Sequence, residues 1–277
     1  MKTGSAAVRE MPHVDDEVFV DVRNVKLHYT PGDDSTLALE QTNMTLKRGE
    51  FVAIVGPSGC GKSTLLKLAS GLRQPTAGEI VVNGSPVVKP IKIVGMAFQN
   101  PTMLPWLRTL DNVVMPLKIV EPYRSKFRTE KAKYRQMAAS LLTEVGLGKY
   151  TQKYPWELSG GMLQRASLCR ALIHDPRLLL LDEPFGALDA FTREDLWQVL
   201  QKLWMERNPT VLLVTHDLRE AVFLADTVHV MSARPGRVLV SYPVDIPRPR
   251  TLDDLFTDKA SKLVHELRKH ISHDRNV

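Results

Sequence analysis

The run Gly56-Pro57-Ser58-Gly59-Cys60-Gly61-Lys62-Ser63-Thr64 constrains this chain more than any other stretch. It fits G-x-x-x-x-G-K-[ST], a loop whose backbone N–H groups wrap a polyphosphate. Glycines there allow turns and close backbone approach that side chains would obstruct. Lys62 is suited to the β- and γ-phosphates, and the Ser63 hydroxyl to Mg²⁺. The flanks support the match. Phe51-Val52-Ala53-Ile54-Val55 precedes the loop, an apolar run suited to a strand buried on both faces. Leu65, Leu66, Leu68 and Ala69 follow as a helix that Gly71 can end. Strand, loop and helix in that order place an anion at a helix N-terminus. A thiol in this setting, Cys60, is expected to have a lowered pKa and to react readily when the site is empty.

A chain of 277 residues suits one large domain or two modest ones. No apolar stretch reaches the length of a transmembrane helix. The first twenty residues, with Arg9, Glu10 and Asp15-Asp16-Glu17, lack the apolar centre of a secretory signal. A soluble, cytoplasmic chain is therefore expected. Its two cysteines, Cys60 in the loop and Cys169 in a predicted helix, argue against a structural disulfide. The net charge of +6 permits contact with nucleic acid or a membrane surface, but the basic residues are scattered. The densest patch, 118–135, is interleaved with Glu121 and Glu130 and reads as a solvated helix face. No nucleic-acid partner is expected.

Residues 1–16 read as a loose extension. Val18, Val20 and Val22 alternate as in a half-buried strand; Val25, Leu27 and Tyr29 continue in shifted phase, which predicts a bulge near Asn24. Pro31-Gly32-Asp33-Asp34 reads as a turn, and 37–46 as a second strand region. Asn83-Gly84 after 79–82 is a hairpin signal, and 93–98 a further strand. From 100 to about 173 the pattern is helical, with Met137, Ala138, Leu141, Leu142 and Val145 on one face. The runs 178–181 and 211–214 suit central parallel strands. A strand at 228–231, a turn at Arg234-Pro235-Gly236 and a strand at 237–242 follow. Leu252, Leu255, Phe256, Leu263, Val264, Leu267 and Ile271 then recur at helical spacing. The expected division is an extension (1–16), one nucleotide-binding domain (17–245, helical subdomain about 100–173) and a helical tail (246–277).

Leu178-Leu179-Leu180-Leu181-Asp182-Glu183 is the second chemical element. Open α/β sheets place ligands at the C-terminal ends of their strands, where Asp182 can hold Mg²⁺ opposite Ser63. Glu183 can accept a proton from water attacking the γ-phosphate. Without the phosphate loop upstream, the same residues would read as an acidic turn. The third element is Leu158-Ser159-Gly160-Gly161-Met162-Leu163-Gln164-Arg165. Ser159 can cap a helix starting near the paired glycines, whose bare backbone leaves room for an anion.

This octet resembles the LSGGQ signature of ABC-type ATP-binding cassettes. Ser159 lies 23 residues before Asp182, from 159 to 182, a separation similar to theirs. The resemblance runs from about 18 to 242 and implies an α/β fold. Its parts would be a P-loop NTPase (RecA-like) core, an antiparallel β subdomain and a helical signature subdomain. It implies ATP and Mg²⁺ as cofactors, bound by the nine residues of the phosphate loop and by Ser63 and Asp182. Tyr29 matches the aromatic that stacks on adenine, or is a strand-end tyrosine. Gln99 matches the glutamine that senses Mg²⁺ and the attacking water, or is a loop amide. Asp189, in Phe185-Gly186-Ala187-Leu188-Asp189, matches a loop at the dimer seam, or caps the next helix. His216 matches the histidine that contacts the γ-phosphate, or is structural. Met162 departs from the signature's usual glutamine and cannot make that amide's hydrogen bonds. Catalysis would then rest on Glu183, His216, Gln99 and Lys62.

One phosphate loop and one signature per chain imply a head-to-tail pair, each copy's Ser159-Gly160-Gly161 covering the other's nucleotide. The resemblance further implies a separate membrane permease docked beside Gln99, where 101–106 offers apolar and rigid residues, with Trp106 as anchor or as a core residue. A solute-binding protein would act indirectly, and the chain would sit peripherally at the cytoplasmic face of the inner membrane. Met103-Leu104-Pro105-Trp106, Ser232-Ala233-Arg234-Pro235-Gly236-Arg237 and Pro247-Arg248-Pro249-Arg250 are similar to stretches of the nitrate/sulfonate/taurine importers, without chemistry readable from sequence. The alternatives are a soluble ABC ATPase acting on nucleic acid or ribosomes, and a nucleotide-binding regulatory module without turnover. Glu183 and His216 speak against the last.

Overall fold

The computed structural model describes residues 17–29 and 36–273; the extension expected at 1–16 and the turn expected at Pro31-Gly32-Asp33-Asp34 lie outside the described residues. In chain order the strands are β1 (Val18–His28), β2 (Leu37–Lys47), β3 (Phe51–Val55), β4 (Ala77–Val82), β5 (Ser85–Pro86), β6 (Val94–Phe98), β7 (Leu178–Asp182), β8 (Thr210–Val214), β9 (Thr227–Met231) and β10 (Val238–Pro243). The helices are α1 (Lys62–Ala69), α2 (Thr109–Val114), α3 (Tyr123–Lys126), α4 (Lys131–Glu144), α5 (Gly160–Leu172), α6 (Ala190–Arg207), α7 (Leu218–Leu224) and α8 (Asp258–His273).

Two sheets result. One is antiparallel, ordered β2-β1-β4-β5; the other is ordered β10-β9-β3-β8-β7-β6, parallel except for β10. The continuous apolar runs of β3, β7 and β8 have a direct cause. Phe51, Ala53, Val55, Leu179, Leu181, Val211 and Leu213 face a cluster shared with α2 and α4 to α8. Val52, Ile54, Leu178, Leu180, Leu212 and Val214 face a second cluster with Leu65, Leu66 and Leu68 of α1 and Val20, Val22 and Ile80 of the antiparallel sheet. With both faces covered, no polar alternation is possible. The phosphate-loop helix is thus held between the two sheets. Each buried leucine there contributes roughly 1.5–3 kcal/mol.

Local signals decide several details. Asn24 takes φ 48° where the β1–β2 register shifts, which is the expected bulge. Asn83 (φ 50°) and Gly84 (φ 74°) form the β4–β5 hairpin turn. Gly71 (φ 77°) ends α1, and a Cβ there would lie 2.2 Å from the Lys89 carbonyl oxygen. Phe256 is a correction: the C-terminal helical pattern places it on the buried face, but it is 72% exposed. The chain there is a short 3₁₀ turn (Leu252–Phe256), whose tighter winding keeps Leu255 inward, as expected, and turns Phe256 out.

The C-terminal segment does not stand apart. Leu255, Ala260 and Leu267 belong to the cluster that covers the parallel sheet. Arg250, 3% exposed, donates to the carbonyls of Val222, Phe223 and Ala225 at the end of α7 and to those of Val244 and Ile246. Arg248 pairs with Asp226 at 2.8 Å and lies 4.3 Å from the Trp204 ring centroid. Two arginines without readable chemistry in the sequence therefore fasten the tail to the core.

Candidate functional site

Parallel strands point the same way, so the loops that follow them gather at one edge of the sheet. That edge receives the phosphate loop after β3, Gln99 after β6, Asp182 and Glu183 from β7, His216 after β8 and the 232–237 turn after β9. A cavity of about 240 Å³ opens there, lined by Tyr29, Ser58, Gly59, Gly61, Lys62, Ser63, Thr64, Glu183 and Arg234. Gly56, Pro57 and Cys60 are buried behind it.

Lys62 is 5% exposed, and its Nζ donates to the carbonyls of Gly56 (2.9 Å) and Pro57 (2.8 Å). The ammonium thus stands on the loop's own backbone. Ser63 Oγ donates to Asp182 Oδ1 at 2.7 Å. Burial pushes the Asp182 carboxyl above its ordinary range, against that hydrogen bond and with a smaller push from Glu183. Glu183 has φ 46°, and its N–H donates to the Val214 carbonyl at 2.8 Å. A left-handed glutamate at the end of a central strand costs on the order of 1 kcal/mol, and such strain collects at functional sites. Its Oε2 lies 3.1 Å from His216 Nδ1. A Cβ on Gly186 would come within 3.3 Å of Gln99 Nε2 and 3.5 Å of His216 Cε1, so Gln99, Glu183 and His216 converge around that glycine.

The residues on either side of His216 are fixed by groups that the sequence pattern does not single out. Thr215 Oγ1 donates to Glu220 Oε2 at 2.7 Å and accepts from the Asp217 N–H at 3.0 Å. Asp217 caps α7 and pairs with Arg193 at 2.7 Å. Glu220 is buried in α7, and burial pushes its carboxyl up to about 8. Sequence periodicity could have placed Glu220 on the inward face of α7, but not its partner.

Tyr29 is 40% exposed; its OH lies 2.6 Å from Thr64 Oγ1, and the Arg73 guanidinium covers the ring at 4.3 Å from its centroid. No sequence signal singles out Arg73. Its tie to Tyr29 joins residues far apart in the chain.

Cys60 is a correction. The sequence predicts an accessible thiol with a lowered pKa, but Cys60 is 1% exposed, and burial pushes the thiol up despite nearby Lys62. The loop turns this side chain inward, under Gly56. We therefore expect a maleimide to label native Cys60 slowly and at the rate of local opening. Labelling within minutes in the folded protein, followed by mass spectrometry, would contradict this burial.

Ser159, Gly160 and Gly161 do not reach the phosphate-loop cavity of their own chain. Ser159 and Gly161 line a separate hollow with Gly146, Tyr150, Arg165 and Thr192. Ser159 caps α5, accepting from the Met162 N–H at 3.3 Å. Asp189, exposed, caps α6 through the Thr192 N–H at 3.0 Å. The two helix starts adjoin: a Cβ on Gly161 would lie 2.6 Å from Thr192 Cγ2.

A two-sheet P-loop fold with a helical segment between β6 and β7 defines the class, and comparison with known proteins agrees. Residues 39–186 match the ABC transporter family. The aliphatic sulfonates import ATP-binding protein SsuB of Bacillus cereus is 38% identical over 91% of this chain and 94% of its own. The nitrate import ATP-binding protein NrtD of Synechococcus elongatus is 40% identical over 86% of this chain and 87% of its own. Among solved structures, the ATP-binding cassette MJ0796, in a dimeric post-hydrolysis state bound to ADP and Pi, superposes with a TM-score of 0.69. It is 32% identical and covers 82% of this chain and 100% of its own. The chain belongs to the ABC transporter family, and its fold is that of an ATP-binding cassette.

Proposed function

We propose that this chain is the ATP-hydrolysing subunit of an ABC importer. Two copies close on ATP and drive a separate membrane permease for nitrate, a sulfonate, taurine or a related small solute. The observation that carries this reading is the gathering of Lys62, the Ser63–Asp182 pair and the Glu183–His216 pair at one sheet edge.

ATP enters with its phosphates against the N–H groups of the loop and the start of α1. Lys62 exchanges the Gly56 and Pro57 carbonyls for phosphate oxygens, a stronger charge-assisted partner. Tyr29 offers its open ring face to adenine. Ser63, Asp182 and Gln99 would hold Mg²⁺; a buried carboxylate pushed above its ordinary range beside a hydroxyl fits a cation there. When bound, the ion neutralises charge on the transferring phosphoryl group. Glu183 takes the proton of the attacking water. His216 orients Glu183 through its Nδ1 and turns its other nitrogen toward the γ-phosphate.

The signature face, Ser159-Gly160-Gly161 with Asp189 beside it, closes the partner copy's site rather than its own. The separation of the two cavities within one chain supports this arrangement. Loss of the γ-phosphate would release the clamp.

The permease docks beside Gln99. An apolar hollow of about 310 Å³ between β6, α5 and the 115–120 segment includes Thr102 and Leu104 of the stretch that follows Gln99, with Met115, Pro116 and Ile119. Trp106, on the neighbouring turn, is 69% exposed, so the core reading of this residue does not hold. Among the described residues no helix is long and apolar enough to cross a membrane, which suits peripheral attachment at the cytoplasmic face. The solute-binding protein acts on the permease, not on this chain. Trp106→Ala should lower co-purification with the permease on the order of 10-fold, as for a lost interface anchor. Its melting temperature and basal ATPase should stay near wild type. Undiminished co-purification would move the anchor elsewhere.

A further inference from the structure

The turn between β9 and β10 carries Ser232-Ala233-Arg234-Pro235-Gly236-Arg237, and the structure fastens it on two sides. Internally, the Ser232 N–H donates to the Arg237 carbonyl at 2.9 Å. Ser232 Oγ donates to the Pro235 carbonyl and accepts from the Arg237 N–H, each at 2.9 Å. Externally, the Gly236 N–H donates to the Ala38 carbonyl at 3.0 Å, and the Gly236 carbonyl accepts from the Glu40 N–H at 3.1 Å and from Thr42 Oγ1 at 3.1 Å. Gly236 also abuts the phosphate loop itself, since a Cβ there would lie 2.0 Å from the Cys60 carbonyl oxygen. Only glycine permits that approach. The turn and the phosphate loop are thus one rigid unit.

That unit presents Arg234 at the nucleotide cavity. Arg234 is exposed and lines the cavity with Lys62, Ser58 and Gly59. Its neighbour Arg237 faces Glu40 at 3.8 Å, whereas Arg234 makes no ion pair or hydrogen bond among the described residues. The other charges on the cavity wall are Lys62, engaged with backbone carbonyls, and the Glu183 carboxylate. A guanidinium offers five donors in a planar fork that matches phosphate oxygens. The rigid turn fixes where its backbone stands at the cavity mouth, so binding has only the side chain left to order.

We propose that Arg234 is a second phosphate-binding cation of this site, gripping the polyphosphate of a nucleoside di- or triphosphate alongside Lys62. This rests on the ATP reading above and adds to it a residue outside the phosphate loop.

The test is calorimetric titration of ADP and ATP into the full chain, comparing wild type, Arg234→Gln, Arg234→Lys and Lys62→Ala at low and high salt. Arg234→Gln should weaken both nucleotides on the order of 10-fold at low salt, as for one charge-assisted contact. Arg234→Lys should recover part of the loss, and the gap should narrow at high salt, as for an exposed charge. The melting temperature of the nucleotide-free protein should not move. Equal affinities of wild type and Arg234→Gln overturn the proposal. So does a loss independent of salt, or one accompanied by a lower melting temperature without nucleotide. Failure of wild type itself to bind either nucleotide would instead overturn the ATP reading, and this proposal with it.

Discussion

Glu183→Gln should leave ATP binding intact and slow turnover roughly 10²–10⁴-fold, the scale of a lost general base. The substitution keeps the shape and the hydrogen-bonding reach of the side chain but removes the oxygen that can take a proton. Glu183 Oε2 lies 3.1 Å from His216 Nδ1, a contact that an amide can also make, so the geometry around Gly186 should survive. The phosphate loop, Ser63 and Asp182 are untouched. In the proposed clamp, loss of the γ-phosphate releases the dimer, so the mutant should accumulate as an ATP-bound dimer. Gel filtration with ATP and Mg²⁺ is the measurement, beside a phosphate-release assay. A mutant that hydrolyses at the wild-type rate removes Glu183 from the mechanism. A mutant that is slow yet monomeric with ATP would separate hydrolysis from the proposed clamp.

The second large effect lies far from the chemistry. Arg250→Ala should destabilise the chain by about 3–5 kcal/mol, the range for removing one partner of a buried charged network. Five carbonyls, three at the end of α7 and two between β10 and the tail, would lose a donor in the packed interior. The positive charge also complements the C-terminal end of α7. The native state keeps this guanidinium at a cost, since burial brings its pKa down to about 9. Arg250→Lys should recover only part of the loss, because an ammonium has three donors and no fork. In thermal melts the alanine variant should shift on the order of 10 °C, given about 2–4 °C per kcal/mol in chains near this size. A shift below about 2 °C would mean that water or a neighbour replaces the arginine.

These two residues mark how far the sequence could be read. Glu183 was legible because its signal is local: four leucines, an acidic pair and a phosphate loop upstream. The central strands, the bulge at Asn24 and the Asn83-Gly84 hairpin were legible for the same reason, since backbone preference and side-chain period act over a few residues. Arg250 was not. Its role depends on α7 and β10 coming to lie around it, and nothing in its sequence neighbourhood announces that. Phe256 failed because a 3₁₀ turn and an α-helix differ by a fraction of a residue per turn, too little for periodicity to resolve.

The sequence by itself determined the phosphate loop, the buried parallel strands and the carboxylates at a strand end, because each follows from residue type and near spacing. Its resemblance to ABC cassettes supplied the signature, Gln99 and His216, which spacing alone could not join. Only the tertiary structure decided how charge is held at the site. It stood Lys62 on the carbonyls of Gly56 and Pro57, turned Cys60 inward and raised its thiol pKa, and set Arg234 on a turn locked to the phosphate loop. The physical reason is that burial and charge–dipole contacts depend on what packs from other parts of the chain, and that information appears only when the two sheets close around α1.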